Sequence, residues 1–272
     1  MYDVIIIGGG PSGLSAALTL RARSKSVAVL VKGAAQSPLA RAERIDNYPG
    51  VPGVSGRDLL NAMTAQTKAQ GAEFVEEKAL SAMPAGEGFF VSAGQDVLEG
   101  RALILACGVS RGRALPGERE LLGAGVSYCA TCDGMLYRGK RVAVLGFSPD
   151  AAEEAQFLRS VGCEVLFYGA DAASGAAIRG KERVEALEIG GETVPVEGVF
   201  VLRDSVAPET LLPGLALDGS HVAVSRELSA NLPGVFAAGD CTGTPYQIAK
   251  AVGEGCTAAL SAVKYLSGQK KE

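Results

Sequence analysis

Two cysteines and an aspartate, Cys129, Cys132 and Asp133, have the residue types and spacing that point most directly to chemistry. Thiols two residues apart can close into a disulfide, and the thiolate released when it opens is often stabilised by its neighbour or by a helix N-terminus. The carboxyl group of Asp133 can protonate a leaving thiolate or accept a thiol proton, provided that burial raises its pKa. The spacing therefore predicts a redox-active disulfide with its own acid, and all three residues are candidate catalytic residues.

A metal site is the alternative interpretation of this pair. Four-ligand zinc sites usually need a second pair of ligands. The other cysteines are scattered singly, and His221 is the only histidine in the chain. We therefore expect redox chemistry and no metal.

Composition limits the class of protein. The chain has 272 residues, 47% of them hydrophobic, and 36 glycines, which is typical of a globular α/β protein large enough for two domains. A net charge of -4 argues against nucleic-acid binding. The absence of a long apolar run or a basic N-terminal segment argues against a membrane span or signal peptide. Six irregularly spaced cysteines fit a reducing compartment, so we expect a cytoplasmic protein.

The N-terminus has the pattern of a dinucleotide-binding βαβ unit. An apolar strand, Tyr2–Ile7, runs into the glycine turn Gly8–Gly13, which is followed by a helical pattern and a second strand at Val27–Val31. In this context Gly8 permits the turn, Gly10 lets a pyrophosphate approach, and Gly13 permits close packing of helix on strand. Lys32 follows the second strand, in the region where an acidic residue normally binds the ribose, so that contact is expected to be missing.

A second unit of the same layout begins at Arg141, with a strand over 142–145, a helix over 151–161 and a strand over 164–168. Its turn has Ser148 in place of the middle glycine, and Pro149 removes an amide. The segment 168–171 after its second strand lacks the arginines that grip a 2'-phosphate. We expect two related nucleotide-binding folds, the second with a disabled nucleotide site.

The sequence resembles the low-molecular-weight flavoprotein thioredoxin reductases over nearly its whole length. The matching segments occur in the family's order and are Gly8–Gly13, Asn47–Gly50, Leu105–Gly108, Pro116–Glu118, Tyr128–Gly134 and Val235–Asp240. The resemblance implies two Rossmann-like, three-layer domains, the second inserted into the first. The expected limits are 1–112 and 230–272 for the FAD domain and 113–229 for the disulfide domain.

The resemblance also implies the cofactor and the partners. FAD is expected to be the cofactor, thioredoxin the substrate, and a homodimer the assembled form. It places Cys132 nearer the flavin and leaves open which thiol attacks thioredoxin. The expected FAD-binding residues are Gly8, Gly10, Pro11, Ser12, Gly13, Asn47, Gly108, Gly239, Asp240, Gln247 and Ile248.

Three departures from the NADPH-dependent members all concern the electron donor. They are the altered turn at Gly146–Ala151, the missing basic motif after Phe167, and Tyr246 in place of an arginine. The sequence looks closer to the ferredoxin-dependent flavin thioredoxin reductases, so ferredoxin is the expected donor. Basic residues near the domain connections are candidates for meeting it, namely Arg111, Arg113, Arg138, Lys140 and Arg141. Tyr246 could either cover the flavin or pack at a helix entrance.

Three other functions stay open from sequence. The chain could use NADPH or NADH through an atypical nucleotide site. It could be a dithiol oxidase that passes electrons from flavin to oxygen. It could also be a redox-sensing binding module that shares only the fold.

Overall fold

The computed structural model describes residues 1–31, 37–109, 114–203 and 207–268. The chain forms two compact units, of which unit 1 comprises Met1–Ser110 with Ala207–Glu272 and unit 2 comprises Arg111–Val206. The sequence prediction placed the return to the first domain at residue 230, whereas segment 207–229 belongs to unit 1. One reason is that the helix Pro208–Leu211 packs on the strand Ala79–Ala85 of that unit.

The regular elements follow in chain order. The first part of unit 1 contains β1 (Tyr2–Ile7), α1 (Pro11–Ala22), β2 (Val27–Leu30), α2 (Gly56–Ala69), β3 (Glu73–Val75), β4 (Ala79–Ala85), β5 (Gly88–Ala93) and β6 (Asp96–Leu105). Unit 2 contains β7 (Val126–Ser127), α3 (Ala130–Asp133), β8 (Arg141–Gly146), α4 (Ala151–Ser160), β9 (Glu164–Gly169), α5 (Ala170–Ala173), β10 (Ala177–Arg179), β11 (Ala186–Ile189), β12 (Glu192–Pro195) and β13 (Gly198–Leu202). The chain returns to unit 1 with α6 (Pro208–Leu211), β14 (Leu217–Asp218), β15 (His221–Val222), β16 (Val235–Ala237) and α7 (Ile248–Gly268).

Unit 1 is built on a seven-stranded sheet. β3, β2, β1 and the second half of β6 are parallel, with Val4 opposite Val27 and Ala102, while β4 and β5 extend the sheet as an antiparallel meander. β16 pairs in parallel with β6, opposite residues 103–105. The carboxyl ends of β1, β6 and β16 therefore lie side by side at one edge, which is the usual ligand edge of such sheets.

Helices α1 and α7 pack closely in the layer over this sheet. A Cβ atom on Gly255 would lie 2.1 Å from the carbonyl oxygen of Ser12, so only glycine permits this approach. α7 starts at Ile248 and runs to Gly268. Gly255 serves the contact with α1, whereas a Cβ on Gly253 would meet nothing within 4 Å.

Unit 2 has a parallel sheet in the order β7-β13-β8-β9 and a separate antiparallel sheet β10-β11-β12. β8 is buried from Val142 to Gly146, as its apolar run predicts, and helix α4 packs against both β8 and β9. This is the predicted second βαβ unit. In the described part of the chain, no helix combines the length and apolar composition needed to cross a bilayer.

Candidate functional site

Cys129 and Cys132 form a disulfide, with their Cα atoms 5.4 Å apart. Cys129 is the N-cap of the short helix α3, and its Sγ accepts the backbone N–H of Cys132 at 3.2 Å. The hydroxyl of Thr131 lies 3.3 Å from the same sulfur. A disulfide sulfur has no proton to give, so the hydroxyl is the donor. Both donors favour negative charge on Cys129 once the disulfide opens.

Asp133 is held in place by a serine that sequence analysis missed. Ser127 Oγ lies 2.6 Å from Asp133 Oδ2 and donates to it, while the backbone N–H of Cys129 donates to Ser127 Oγ at 3.1 Å. This relay fixes the carboxylate relative to the cysteine loop. Burial, and then the charge of Asp133, raise the pKa of the nearby Tyr137 hydroxyl. The signal available in the sequence was only that Ser127 ends the strand leading into the motif.

Glu154, from the first turn of α4, also reaches the cysteine loop. Its Oε2 accepts the backbone N–H of Ala130 at 3.2 Å. The contact joins residues 24 positions apart, so no local sequence pattern predicts it. It ties the cysteine loop to the helix that follows the second nucleotide turn.

The predicted FAD-binding residues gather in unit 1, at the shared edge of β1, β6 and β16. Gly8–Gly13 follow β1, Gly108 follows β6, and Gly239 with Asp240 follow β16. Asn47 and Gln247 meet through a 3.0 Å hydrogen bond, and Ile248 begins α7 beside them in sequence. The whole predicted set thus belongs to one unit, and the cysteine motif to the other.

The glycine turn has the form that a dinucleotide requires. A Cβ on Gly8 would lie 2.2 Å from the carbonyl oxygen of Ala106, and one on Gly13 would lie 1.9 Å from that of Gly8. A Cβ on Gly10 would meet nothing within 4 Å. Pro11 opens α1, whose N-cap Gly10 offers no side-chain cap to the helix amides. Open space before uncapped amides suits the pyrophosphate of FAD, so the residues present fit this cofactor.

A charged clamp shapes the loop that carries Asp240. Lys250 Nζ donates to the carbonyl oxygens of Gly239 and Gly243 at 2.9 and 2.7 Å. Glu254 Oε2 accepts the Gly239 N–H at 2.7 Å and lies 3.2 Å from Lys250 Nζ. Burial raises the pKa of the Asp240 carboxyl; Lys250 opposes the shift, and Glu254 adds to it. The only sign of this clamp in the sequence was the i,i+4 spacing of Lys250 and Glu254.

Tyr246 makes a contact that neither sequence interpretation included. Its hydroxyl lies 2.8 Å from Nε2 of His221, and 47% of the residue is exposed. His221 comes from β15, in the segment that the sequence prediction assigned to the inserted domain.

The sequence analysis also singled out basic residues. Of these, Lys32, Arg111 and Arg113 lie outside the described residues. Arg141 pairs with Glu164 at 2.7 Å, so this candidate for meeting ferredoxin already has an acidic partner.

The turn after β8 differs sharply from the turn after β1. The backbone N–H groups of Phe147 and Ser148 both donate to the carbonyl oxygen of Leu202, at 2.8 and 3.0 Å. Pro149 has no N–H, and the N–H of Ala151 donates to the Ser148 carbonyl oxygen at 3.2 Å. These amides are therefore committed to the protein's own carbonyl oxygens.

Side chains reinforce this difference. The guanidinium of Arg203, which follows β13, lies 4.8 Å from the ring centre of Phe147. It also makes a two-pronged ion pair with the buried Glu118, at 2.5 and 2.9 Å. Glu153 and Glu154 place negative charge in the first turn of α4. The carboxyl edge of β8 and β13 thus carries the chain's own Arg203–Glu118 pair, and two carboxylates lie in the first turn of the helix that follows β8.

Comparison with known proteins identifies the family of the chain. Residues 2–176 match the family of pyridine nucleotide-disulphide oxidoreductases. The chain belongs to this family. It is 36% identical to the thioredoxin reductase of Aquifex aeolicus (strain VF5), over 100% of this chain and 95% of that protein. It is therefore an oxidoreductase of the thioredoxin reductase type, and FAD is the cofactor of this class of pyridine nucleotide-disulphide oxidoreductase.

Solved structures show the same relationship. A ferredoxin-flavin thioredoxin reductase from Clostridium acetobutylicum superposes with a TM-score of 0.92 at 38% identity, covering 100% of this chain and 99% of that one. A thioredoxin reductase from Gloeobacter violaceus superposes with a TM-score of 0.81 at 33% identity, covering 99% and 95%. The predicted fold class of two Rossmann-like domains is confirmed.

Proposed function

We propose that the chain is a flavin-dependent disulfide reductase that takes electrons from reduced ferredoxin and delivers them to thioredoxin through Cys129 and Cys132. The observation that carries the donor assignment is the contrast between the two turns. The first leaves Gly10 open before free helix amides, and the second has its amides bound to Leu202 and Ser148. Likeness to the ferredoxin-flavin enzyme of Clostridium acetobutylicum supports the same donor.

In this proposal FAD is held by the residues at the edge of β1, β6 and β16. The amides at the start of α1 receive the pyrophosphate, and Asp240, on the loop clamped by Lys250 and Glu254, receives hydroxyl groups of the cofactor. When bound, FAD supplies the ability to accept electrons singly and deliver them in pairs.

The residues around the disulfide direct its opening. Two electrons and two protons convert the Cys129–Cys132 bond to two thiols. The Cys132 N–H and the Thr131 hydroxyl both donate to Cys129 Sγ and stabilise negative charge there. Cys129 is therefore the thiolate that attacks the disulfide of thioredoxin. Cys132 then attacks the Cys129 sulfur of the mixed disulfide, so the Cys129–Cys132 bond re-forms, the bond to thioredoxin breaks, and thioredoxin leaves as a dithiol.

Asp133 handles the proton in this sequence. Its carboxylate is tethered through Ser127 to the backbone of Cys129, so it is held at the cysteine loop as the disulfide opens and closes. It gives a proton to the departing thiolate and takes one back in the opposite step. We expect the enzyme to work as a cytoplasmic homodimer, as the resemblance implies.

A steady-state assay tests the proposal. Thioredoxin thiols are measured anaerobically with reduced ferredoxin, NADPH or NADH as the only donor. We expect turnover with ferredoxin alone. Turnover with NADPH at a comparable rate would refute the donor assignment, and oxygen uptake with a dithiol substrate would favour a dithiol oxidase.

Matched variants show whether the assigned cysteines carry the reaction. Cys129→Ser and Cys132→Ser should each abolish thioredoxin reduction while retaining flavin. Cys256→Ser, which removes a thiol of unit 1, should keep the activity. Persistence of disulfide reduction in Cys132→Ser would point instead to a binding module.

A further inference from the structure

A second cysteine pair, Cys107 and Cys241, has no part in the function proposed above. Cys107 lies two residues beyond β6, and Cys241 lies in the short 3-10 helix Asp240–Thr242 beyond β16. β6 and β16 are parallel, with Leu105 opposite Ala237. Both cysteines are therefore brought to the same edge of the sheet, although they are far apart in sequence.

The two thiols contact each other. They share a side-chain hydrogen bond, and Cys241 Sγ also lies 3.3 Å from the carbonyl oxygens of both Leu105 and Ala238. Cys241 is 3% exposed, and Cys107 is partly exposed. The thiol of Cys163 has different partners, the carbonyl oxygens of Gly134 and Tyr137 in unit 2.

The hydrogen bond gives the two thiols different chemistry. The bond from Cys241 lowers the pKa of Cys107, and that bond together with burial raises the pKa of Cys241 well above its ordinary value. Cys107 is also the more exposed of the two thiols, so it is the one that peroxide reaches first. A thiolate beside a second thiol is the arrangement in which oxidation proceeds to a disulfide.

We propose that Cys107 and Cys241 form a second oxidisable dithiol, which hydrogen peroxide closes to a disulfide. The Cys107 thiolate attacks peroxide, which releases hydroxide and leaves Cys107 as sulfenic acid. The thiol of Cys241 then attacks this sulfur, the S–S bond forms, and water departs with the oxygen. Two thiols are oxidised, and one peroxide is reduced.

The position of the pair couples this oxidation to the flavin site. A Cβ on Gly8 would lie 3.2 Å from the backbone nitrogen of Cys107, so Cys107 packs against the glycine turn. Asp240 directly precedes Cys241. Closing the disulfide pulls these two segments together and weakens the hold on FAD. This consequence rests on the proposed function.

Peptide mapping of the flavin-loaded enzyme tests the site. Tryptic peptides 102–111 and 227–250 each contain one of these cysteines and no other. After brief exposure to equimolar hydrogen peroxide and thiol blocking, we expect these peptides to be cross-linked and released by dithiothreitol. Cys241→Ser should instead accumulate a dimedone-reactive sulfenic acid on Cys107. The site is overturned if no cross-link forms, or if Cys163 and Cys256 are oxidised equally fast.

Flavin release tests the coupling. We expect the peroxide-treated enzyme to lose FAD at least several-fold faster, with Cys107→Ser insensitive and Cys256→Ser behaving like the unmodified chain. Equal release by cross-linked and untreated enzyme overturns the coupling. Flavin content of untreated protein is measured first, so a chain that never bound flavin would count against the proposed function and not against the dithiol.

Discussion

Asp133 is the residue whose replacement separates proton transfer from electron transfer. Its carboxylate is held at the cysteine loop by Ser127. We expect Asp133→Asn to lower kcat for thioredoxin reduction by about 100-fold or more, because general acid-base catalysis is worth at least that much. Flavin content and the KM for thioredoxin should change little, as steady-state kinetics and absorbance can show.

The control for this substitution is Asp171→Asn, which changes an exposed carboxylate of unit 2 in the first turn of α5. It should be as active as the unmodified chain. An Asp133→Asn variant that keeps half of the activity would remove the carboxyl group from the mechanism.

Cys129 is the second residue on which the mechanism makes a direct prediction. Donors from Thr131 and the Cys132 N–H favour its thiolate, so Cys132→Ser should trap thioredoxin as a mixed disulfide. Cys129→Ser should trap much less under the same conditions. Non-reducing gels with a thioredoxin that lacks its second active-site cysteine measure this, and equal trapping by both variants would contradict the assignment.

At the scale of elements, the start of α7 determines how the Asp240 loop is held. Lys250→Met removes the hydrogen bonds to the Gly239 and Gly243 carbonyl oxygens. It also removes the ion pair between Lys250 and Glu254. Hydrogen bonds to charged groups contribute about 1.5–3 kcal/mol each, so FAD affinity should fall about tenfold or more. Fluorescence titration of the flavin-free protein measures this.

Lys264→Met is the matched control for the clamp, because Lys264 is an exposed lysine of the same helix. Its FAD affinity should equal that of the unmodified chain. If Lys250→Met binds FAD equally well, the clamp does not shape the cofactor site.

The turn after β8 depends on a buried ion pair between elements. Glu118 has 3% of its side chain exposed and holds Arg203, whose guanidinium stacks on Phe147. Removing one partner of a buried pair costs about 3–5 kcal/mol, so Glu118→Ala should markedly lower the free energy of unfolding of unit 2. Denaturant titration measures this. The control is Glu188→Ala, which breaks the exposed pair with Arg179 and should change the free energy of unfolding little. Equal stability of the two variants would contradict the account.

Sequence patterns predicted the elements that are local and missed the contacts that are not. The two βαβ units could be predicted because apolar runs, glycine turns and helical spacing are adjacent in the chain. The Glu118–Arg203 pair joins residues 85 positions apart, and no local pattern encodes it. The same holds for the hydrogen bond between Tyr246 and His221, since segment 207–229 had been assigned to the other domain.

At the scale of the whole molecule, the same βαβ layout occurs twice, but the turn after its first strand differs between the two copies. The first copy has an open turn before free amides, and the second has its amides and its edge occupied by its own groups. We infer from this contrast that the chain binds FAD at the first turn and takes its electrons from a protein carrier rather than from a pyridine nucleotide, which is the central claim of the proposed function.

An anaerobic titration of the flavin-loaded enzyme tests this claim most directly. Ferredoxin is reduced, freed of its reductant by gel filtration and added stepwise while the flavin absorbance is followed; NADPH and NADH are added in parallel. The account predicts that reduced ferredoxin bleaches the flavin band and that neither nucleotide does so within the turnover time. Rapid bleaching by a stoichiometric amount of NADPH, with none by ferredoxin, would contradict it.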